Sequence, residues 1–252
     1  MDSNLFWFDE EQWAKIMPHL PTNQPGPERK DDRRILSGIM HVLKIGCRWQ
    51  DCPKEYGPHK TIYNRFARWS ERGIWQKIFE CVAAPCDPPE QAALDSSHVK
   101  AHRCAHGGKG GPIFRRSVLR KAVATARSTR LSTNSVDPGP SSLTPGNTAD
   151  CVMAEECVSL IPGIRELLAD KAYDTNAIRA FLKERGIKAV IPSKSNRKKK
   201  IRHDKQAYKN RNVVERCFCR LKDWRRIATR YDKLAQNFFS AFCFVATLLF
   251  WI

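Results

Sequence analysis

Tyr208-Lys-Asn-Arg-Asn-Val-Val-Glu-Arg-Cys-Phe-Cys-Arg-Leu-Lys222 is the stretch on which the reading of the whole chain turns. It holds no Pro or Gly and continues through Trp224 and Ile227, which predicts one helix. At ~100° per residue, Tyr208, Arg211, Glu215 and Lys222 fall within roughly 60° of one another on such a helix. Val214, Phe218, Leu221 and Arg225 lie beside them. A carboxylate held among cations stays ionised at neutral pH, as a metal ligand must be. The plain alternative is a salt-bridged surface helix.

The spacing decides between the two. Tyr208, Arg211, Glu215 and Lys222 match at all four places a pattern that resembles the signature of insertion-sequence transposases with a DDE active site. The run Arg225-Arg-Ile-Ala-Thr-Arg-Tyr-Asp-Lys233 resembles the subgroup typified by insertion sequence five. So does Gly46-Cys-Arg-Trp-Gln-Asp-Cys-Pro53 with Tyr56-Gly57-Pro58 after it.

The totals agree with a nucleic-acid partner. The chain has 252 residues, 42% of them apolar, and 44 Lys and Arg against 26 acids give a net charge of +18. Such an imbalance favours a polyanion, and a membrane surface is the weaker choice because no basic amphipathic helix stands alone. The ten cysteines form no C-x-x-C pair, and the start of the chain lacks a basic signal region. Reduced thiols and a cytoplasmic location follow as expectations. The apolar stretch 238–252 is short of the ~20 residues that span a bilayer, so it is expected as a helix buried in a core.

In chain order, residues 1–84 read as a small helical domain. Acidic residues open a helix after Phe8. Asp31 or Asp32 caps a second, with Ile35, Ile39, Val42 and Leu43 on one face, and Gly46 stops it. A third helix, Lys60 to Glu71, buries Ile62, Phe66 and Trp69 and shows Lys60, Asn64, Arg65 and Arg68. A fourth runs from Ile74 to about Cys81. Short helices between tight turns, one with a basic face, resemble a helix-turn-helix DNA reader, while an ordinary bundle with a solvated face is the alternative. Residues 85–91 read as a linker. Ala92 to His102 alternates as a strand with Asp95 near its middle, where a carboxylate needs a cation or metal. His98, His102 and His106, with Cys104 among them, suggest zinc only weakly, because a strand spaces them too far apart. A helix from about Asp150 to Leu160 follows. Glu166–Ala169 reads as a buried strand, with Asp170-Lys-Ala-Tyr-Asp174 leaving its C-terminal end, where open α/β sheets place their chemistry. A helix from Asn176 to Arg185 and a strand from Lys188 to Pro192 come next. Lys194, Arg197, Lys198, Lys199, Lys200 and Arg202 then make a basic loop, solvated or holding phosphates.

The resemblance implies an α+β chain: the helical domain, then an RNase H-like catalytic domain at 92–252 with a mixed sheet flanked by helices. It implies that Asp95, Asp170 and Glu215 are the catalytic carboxylates and metal ligands, although Ala172 stands where the family usually has Gly. Oxygen-only ligands select Mg²⁺ or Mn²⁺, and two ions suit an in-line displacement. Tyr208, Arg211 and Lys222 would hold DNA near the scissile phosphate, beside Lys194 and Arg197 to Lys200. The implied partner is double-stranded DNA, as element terminal repeats and target, handled by a homodimer on paired ends in the bacterial cytoplasm, at the nucleoid. A nuclease of the same fold without strand transfer, and a decayed transposase that binds DNA without cutting it, remain as alternatives.

One segment breaks the resemblance. Residues 115–142 hold no aromatic residue, one acid and no sustained period, where the family has two core strands. Codons exist for Arg116–Asp137 that, read one base earlier, spell a strand-like sequence containing Lys-Ile-His-Ala. The expectation is a product of two compensating frame slips, irregular in structure, with low activity; an inserted basic loop is the alternative.

Overall fold

The computed structural model describes residues 5–22, 29, 31–83, 90–97, 99–105, 117–126, 136–145, 154–161 and 163–252, with 117–126 and 136–145 described by backbone alone. The chain divides into two compact units. The first comprises Met1–Ala84, Lys100–Arg115 and Arg220–Ile252; the second comprises Pro85–Val99 and Arg116–Cys219. Residues 100–115 and 220–252 thus group with the helical unit, although the sequence reading counts them within a catalytic domain at 92–252.

In the first unit, α1 (Glu10–Ile16) starts at a capping box: Asp9 Oδ1 accepts the Gln12 N–H at 2.8 Å and Gln12 Oε1 accepts the Asp9 N–H at 3.3 Å. α2 (Asp32–Ile45) is capped by Asp31, whose Oδ1 accepts the Arg34 N–H. It buries Ile35, Leu36, Ile39, Val42 and Leu43 and stops at Gly46, where φ is 79° and a Cβ would lie 2.7 Å from the Arg225 Cβ. α3 (His59–Glu71) buries Ile62, Phe66 and Trp69, and α4 (Ile74–Ala83) buries Trp75, Ile78 and Phe79. The core is closed by the C-terminal helix Ala235–Phe250, whose Phe244 ring lies 4.7 Å from Trp75 and 6.5 Å from Phe8. Sixteen residues of helix are buried nearly all round, which is the core helix the sequence predicts.

The second unit is built on a five-stranded sheet of β1 (Gln91–Asp95), β2 (Ser117–Ala126), β3 (Val136–Pro145), β4 (Glu166–Ala169) and β5 (Lys188–Val190), in the order β3-β2-β1-β4-β5. β2 runs antiparallel to both β1 and β3, while β4 and β5 continue parallel to β1. The helices of this unit are α5 (Ala154–Ser159), α6 (Asn176–Glu184), α7 (Lys205–Tyr208) and α8 (Asn212–Lys222), the last running on into the first unit. Ala92 and Leu94 of β1 join Leu167 and Ala169 of β4, Cys157 and Val158 of α5, and Ile178 and Leu182 of α6 in one apolar cluster. Ala93 and Leu168, one residue out of phase, are buried on the opposite face.

Three expectations need correction. The single strand Ala92–His102 is β1 plus a two-residue bridge, Lys100–Ala101 parallel to Thr229–Arg230 in the first unit. The segment expected to be irregular carries two ten-residue strands, β2 and β3. Ladder bonds are made by backbone groups, so the edge of β1 can be paired without an alternating apolar pattern. β3 carries Pro138 and Pro140 and is the edge strand, the place where a residue with no N–H is tolerated. The β2–β3 register also shifts between Arg120 and Ala122 and between Ala122 and Ala124. Lastly, the helix expected without break from Tyr208 to Ile227 is divided. α7 ends at Tyr208, Lys209–Arg211 is a 3-10 turn, and α8 ends at Lys222. Asn210 sits in that turn with its amide donating to Gln91 Oε1 at 3.1 Å.

Candidate functional site

Parallel pairing of β1 with β4 sets the register Ala93↔Leu168 and Leu94↔Ala169. One step further along both strands stand Asp95 and Asp170. Parallel neighbours lie ~4.8 Å apart, so the two aspartates are side by side at the strand ends. Asp95 is half-buried, and its Oδ1 accepts the Ser96 N–H at 2.9 Å. Asp170 Oδ1 accepts the Ala172 N–H at 2.8 Å, capping the 3-10 turn Lys171–Tyr173.

The Arg211 guanidinium connects this pair to Glu215. Its Nη1 donates to Asp95 Oδ2 at 3.0 Å and its Nη2 to Glu215 Oε1 at 2.8 Å, while its carbon lies 5.9 Å from the Tyr208 ring centre. Burial raises the Asp95 carboxyl above the usual range; the Ser96 N–H and Arg211 pull it down, and Asp170 and Glu215 push it up again. Asp95, Asp170, Arg211, Glu215 and Tyr208 are thus brought into one electrostatic neighbourhood. Lys222 is exposed and falls in the first unit. Among the described residues, no three His, Cys, Asp or Glu side chains stand close enough together to hold a metal ion. The donor chemistry is nevertheless that of a hard cation: two aspartates at adjacent strand ends, a glutamate nearby, and oxygen ligands only. The zinc reading has no support from the described residues: His102 packs on Tyr231 at 4.9 Å and its Nδ1 accepts the Cys104 N–H, while His98 and His106 lie outside them.

The basic loop is held by a residue to which the sequence reading gave no role. Asp174, 3% exposed, accepts Arg179 Nε at 2.6 Å, Arg197 Nε at 2.8 Å and the Lys194 N–H at 2.8 Å. Burial pushes its carboxyl up, but Arg197, the Lys194 N–H and Arg179 outweigh burial and hold it at about 2. Arg197 also donates to Asn176 Oδ1, and Lys200 Nζ donates to the Lys194 and Ser195 carbonyls. Lys198 and Lys199 are exposed. The signal in the sequence was an aspartate four residues after Asp170, followed by Arg179 and Arg197.

In the first unit, Lys60, Asn64 and Arg68 of α3 are exposed as expected. Arg65 is not: it pairs with Asp32 of α2, only 13% of its side chain is accessible, and its guanidinium lies 5.1 Å from the Trp69 ring. Lys60 and Asn64 line a groove of about 740 Å³ with Trp49, His59, Tyr63 and Tyr231. The cysteines that are described are all free thiols, and no helix among the described residues is long and apolar enough to cross a membrane.

Residues 8–79 match a family described as "Putative transposase of IS4/5 family", and residues 167–251 match the "Transposase DDE domain". An "Insertion element IS402 uncharacterized 16.2 kDa protein" of Burkholderia cepacia is 35% identical over 37% of this chain and 72% of its own length. A "Putative transposase for insertion sequence element IS6501" of Brucella ovis is 35% identical over 43% of this chain and 84% of its own length. The chain belongs to the insertion-sequence transposases. A third relative, the "Uncharacterized protein y4sN" of Sinorhizobium fredii, is 30% identical over 42% of this chain and 88% of its own length. The α+β architecture of this transposase, a helical unit and a mixed-sheet unit, carries the DDE match from β4 to the C-terminal helix.

Proposed function

We propose that this transposase cuts DNA at the ends of its element and joins them to target DNA with Asp95, Asp170 and Glu215 as its catalytic carboxylates. The observation that carries the reading is the β1–β4 register, which sets Asp95 beside Asp170, with Glu215 tied to Asp95 through Arg211. The sheet order, three antiparallel strands followed by two parallel ones, supports an RNase H-like fold for the second unit. Asp95 and Asp170, with Glu215, are the residues that would hold divalent ions, Mg²⁺ or Mn²⁺. Ions bound there would supply activation of a water or 3′-hydroxyl and stabilisation of the leaving oxygen. Arg211 pairs with both carboxylates, and the Tyr208 ring lies against the guanidinium. Lys60, Asn64 and Arg68 suit contacts to duplex DNA through the first unit, read as helix-turn-helix-like, and Lys194, Lys198, Lys199 and Lys222 suit backbone phosphates. A homodimer on paired ends and a cytoplasmic site of action at the nucleoid complete the proposal.

The test is cleavage of a supercoiled plasmid carrying the element's two ends, with Mg²⁺, by the wild type and by Glu215→Gln. Metal-dependent nicking by the wild type alone supports the assignment, and a product joined to a second plasmid separates transposase from simple nuclease. A copy that binds DNA without cutting it is the second reading, favoured by residues 115–142. The two family matches lie on either side of that segment, and its strands lack the alternating pattern of a half-buried sheet. The coding DNA tests its origin: codons for 116–142 that give no strand-like sequence one base away refute a frame slip.

A further inference from the structure

The loop after β5 carries Lys194, Arg197, Lys198, Lys199, Lys200 and Arg202, and its cations are of two kinds. Arg197 and Lys200 are bonded within the protein. Arg197 spans Asp174 and Asn176, and Lys200 Nζ holds the Lys194 and Ser195 carbonyls at 2.6 Å each. Ser193 closes the loop by accepting the Ile201 N–H at 2.9 Å. Lys194, Lys198 and Lys199 line a cavity of about 550 Å³ together with Arg197, Asn176 and Asn196, and of these cations Arg197 is the one tied to Asp174 through its side chain. The carboxylate of that lining, Asp174, is engaged by two guanidiniums and a backbone N–H. The cavity therefore presents ammonium and amide groups around a neutralised acid, which is a setting for an anion.

Asp174 is also joined to the strand end. The Tyr173 N–H donates to the Asp170 carbonyl at 3.1 Å and the Asp174 N–H to the Lys171 carbonyl at 3.2 Å. A single 3-10 turn thus separates the carboxylate at the strand end from the carboxylate that organises the loop. Resting on the DNA reading above, we infer that Asp174 is a positioning residue that fixes this loop as a seat for a backbone phosphate of DNA, with Lys194, Lys198 and Lys199 as the contacts. The spacing of that phosphate from Asp170 is set by the turn.

Charge makes the inference testable, because Asp174→Asn removes a negative charge from the neighbourhood of DNA. A pure charge effect tightens binding; a positioning role weakens it. The full chain is titrated with a fluorescein-labelled duplex of mixed sequence at several salt concentrations, with the active fraction counted by stoichiometric titration. Lys198→Ala/Lys199→Ala should lower the slope of log K against log salt by about 2, at an unchanged melting temperature. Asp174→Asn should bind about tenfold more weakly, with a smaller slope, as expected for roughly one or two lost phosphate contacts. Arg197→Lys keeps the charge, gives up the bond to Asn176, and should weaken binding in the same direction; it decides the matter if Asp174→Asn does not fold. Misfolding alone would lower the active fraction and leave the slope unchanged. Inorganic phosphate at matched ionic strength should not displace the duplex; displacement would make the seat one for free phosphate and overturn the inference. Equal or tighter binding by Asp174→Asn or Arg197→Lys, at an unchanged slope, also overturns it. A wild type that binds no duplex at any salt overturns the DNA reading itself.

Discussion

Replacing Asp174 by Asn should destabilise the second unit in a way that depends on pH. The carboxyl sits at about 2 in the folded chain against an ordinary 3.8, and the side chain is fully covered. A depressed pKa stabilises the fold wherever the carboxylate is ionised in both states, and the benefit fades as pH falls through the folded value. The shift of nearly two units corresponds to about 2 kcal/mol above pH 5, of which roughly half remains near pH 3. Losing the anion also leaves Arg179 and Arg197 facing each other with one neutral acceptor, so the total at pH 7 should be about 3 kcal/mol. Urea titration at pH 7, 5, 4 and 3 measures it. All seven tryptophans lie in the first unit, so the second unit is followed by far-UV circular dichroism rather than by fluorescence. Wild type and variant should converge by about 1 kcal/mol between pH 7 and pH 3. Parallel curves across that range, or a difference at pH 7 below about 1 kcal/mol, would refute the account of Asp174 as an ion-paired hub.

The remaining outcomes concern the site and the two cores. Asp95→Asn, Asp170→Asn and Glu215→Gln should each abolish metal-dependent cleavage and leave duplex binding within about threefold of wild type; undiminished cleavage removes that residue from the site. Arg65→Ala should lower stability by about 1–2 kcal/mol through its pair with Asp32 and leave the salt slope of DNA binding unchanged, since Arg65 faces the protein. A change of about one in that slope would show that Arg65 does touch phosphate. Phe244→Ala should cost the first unit about 3–5 kcal/mol, read as an early tryptophan-fluorescence transition, because the ring is 1% exposed against Trp75 and Phe8.

Local chemistry made much of the first unit legible. Asp31 and Gly46 mark the ends of α2 because capping and positive φ are written in single residues. Asp170 could be placed at a strand end because β4 is a short apolar run that stops just before the acid, whereas Asp95 was expected in mid-strand and instead ends β1. Long-range partners were not legible. The turn at 209–211 interrupts a helix-like pattern, and its Asn210 amide meets Gln91, 119 residues earlier in the chain. Arg65 has the spacing of an exposed residue, but Asp32, 33 residues earlier, draws it inward. Asp174 gathers partners from 5 to 23 positions away, none adjacent to it in sequence. β2 and β3 show the same limit from the other side: their pairing is made by the backbone, which a side-chain pattern does not record.

The first unit has an unusual order of assembly. Its opening helices emerge early from the ribosome, yet the helix that covers Trp75 and Phe8 begins only at Ala235. The apolar faces of α1 to α4 therefore wait through the synthesis of the whole second unit, uncovered or held by chaperones. A chain broken off between Glu71 and Ala235 keeps the exposed α3 face but lacks the helix that closes the core beneath it. Partial products of this transposase would thus be poor competitors for the DNA that the finished chain binds. A fragment ending at residue 84 is correspondingly the wrong piece with which to study the first unit alone.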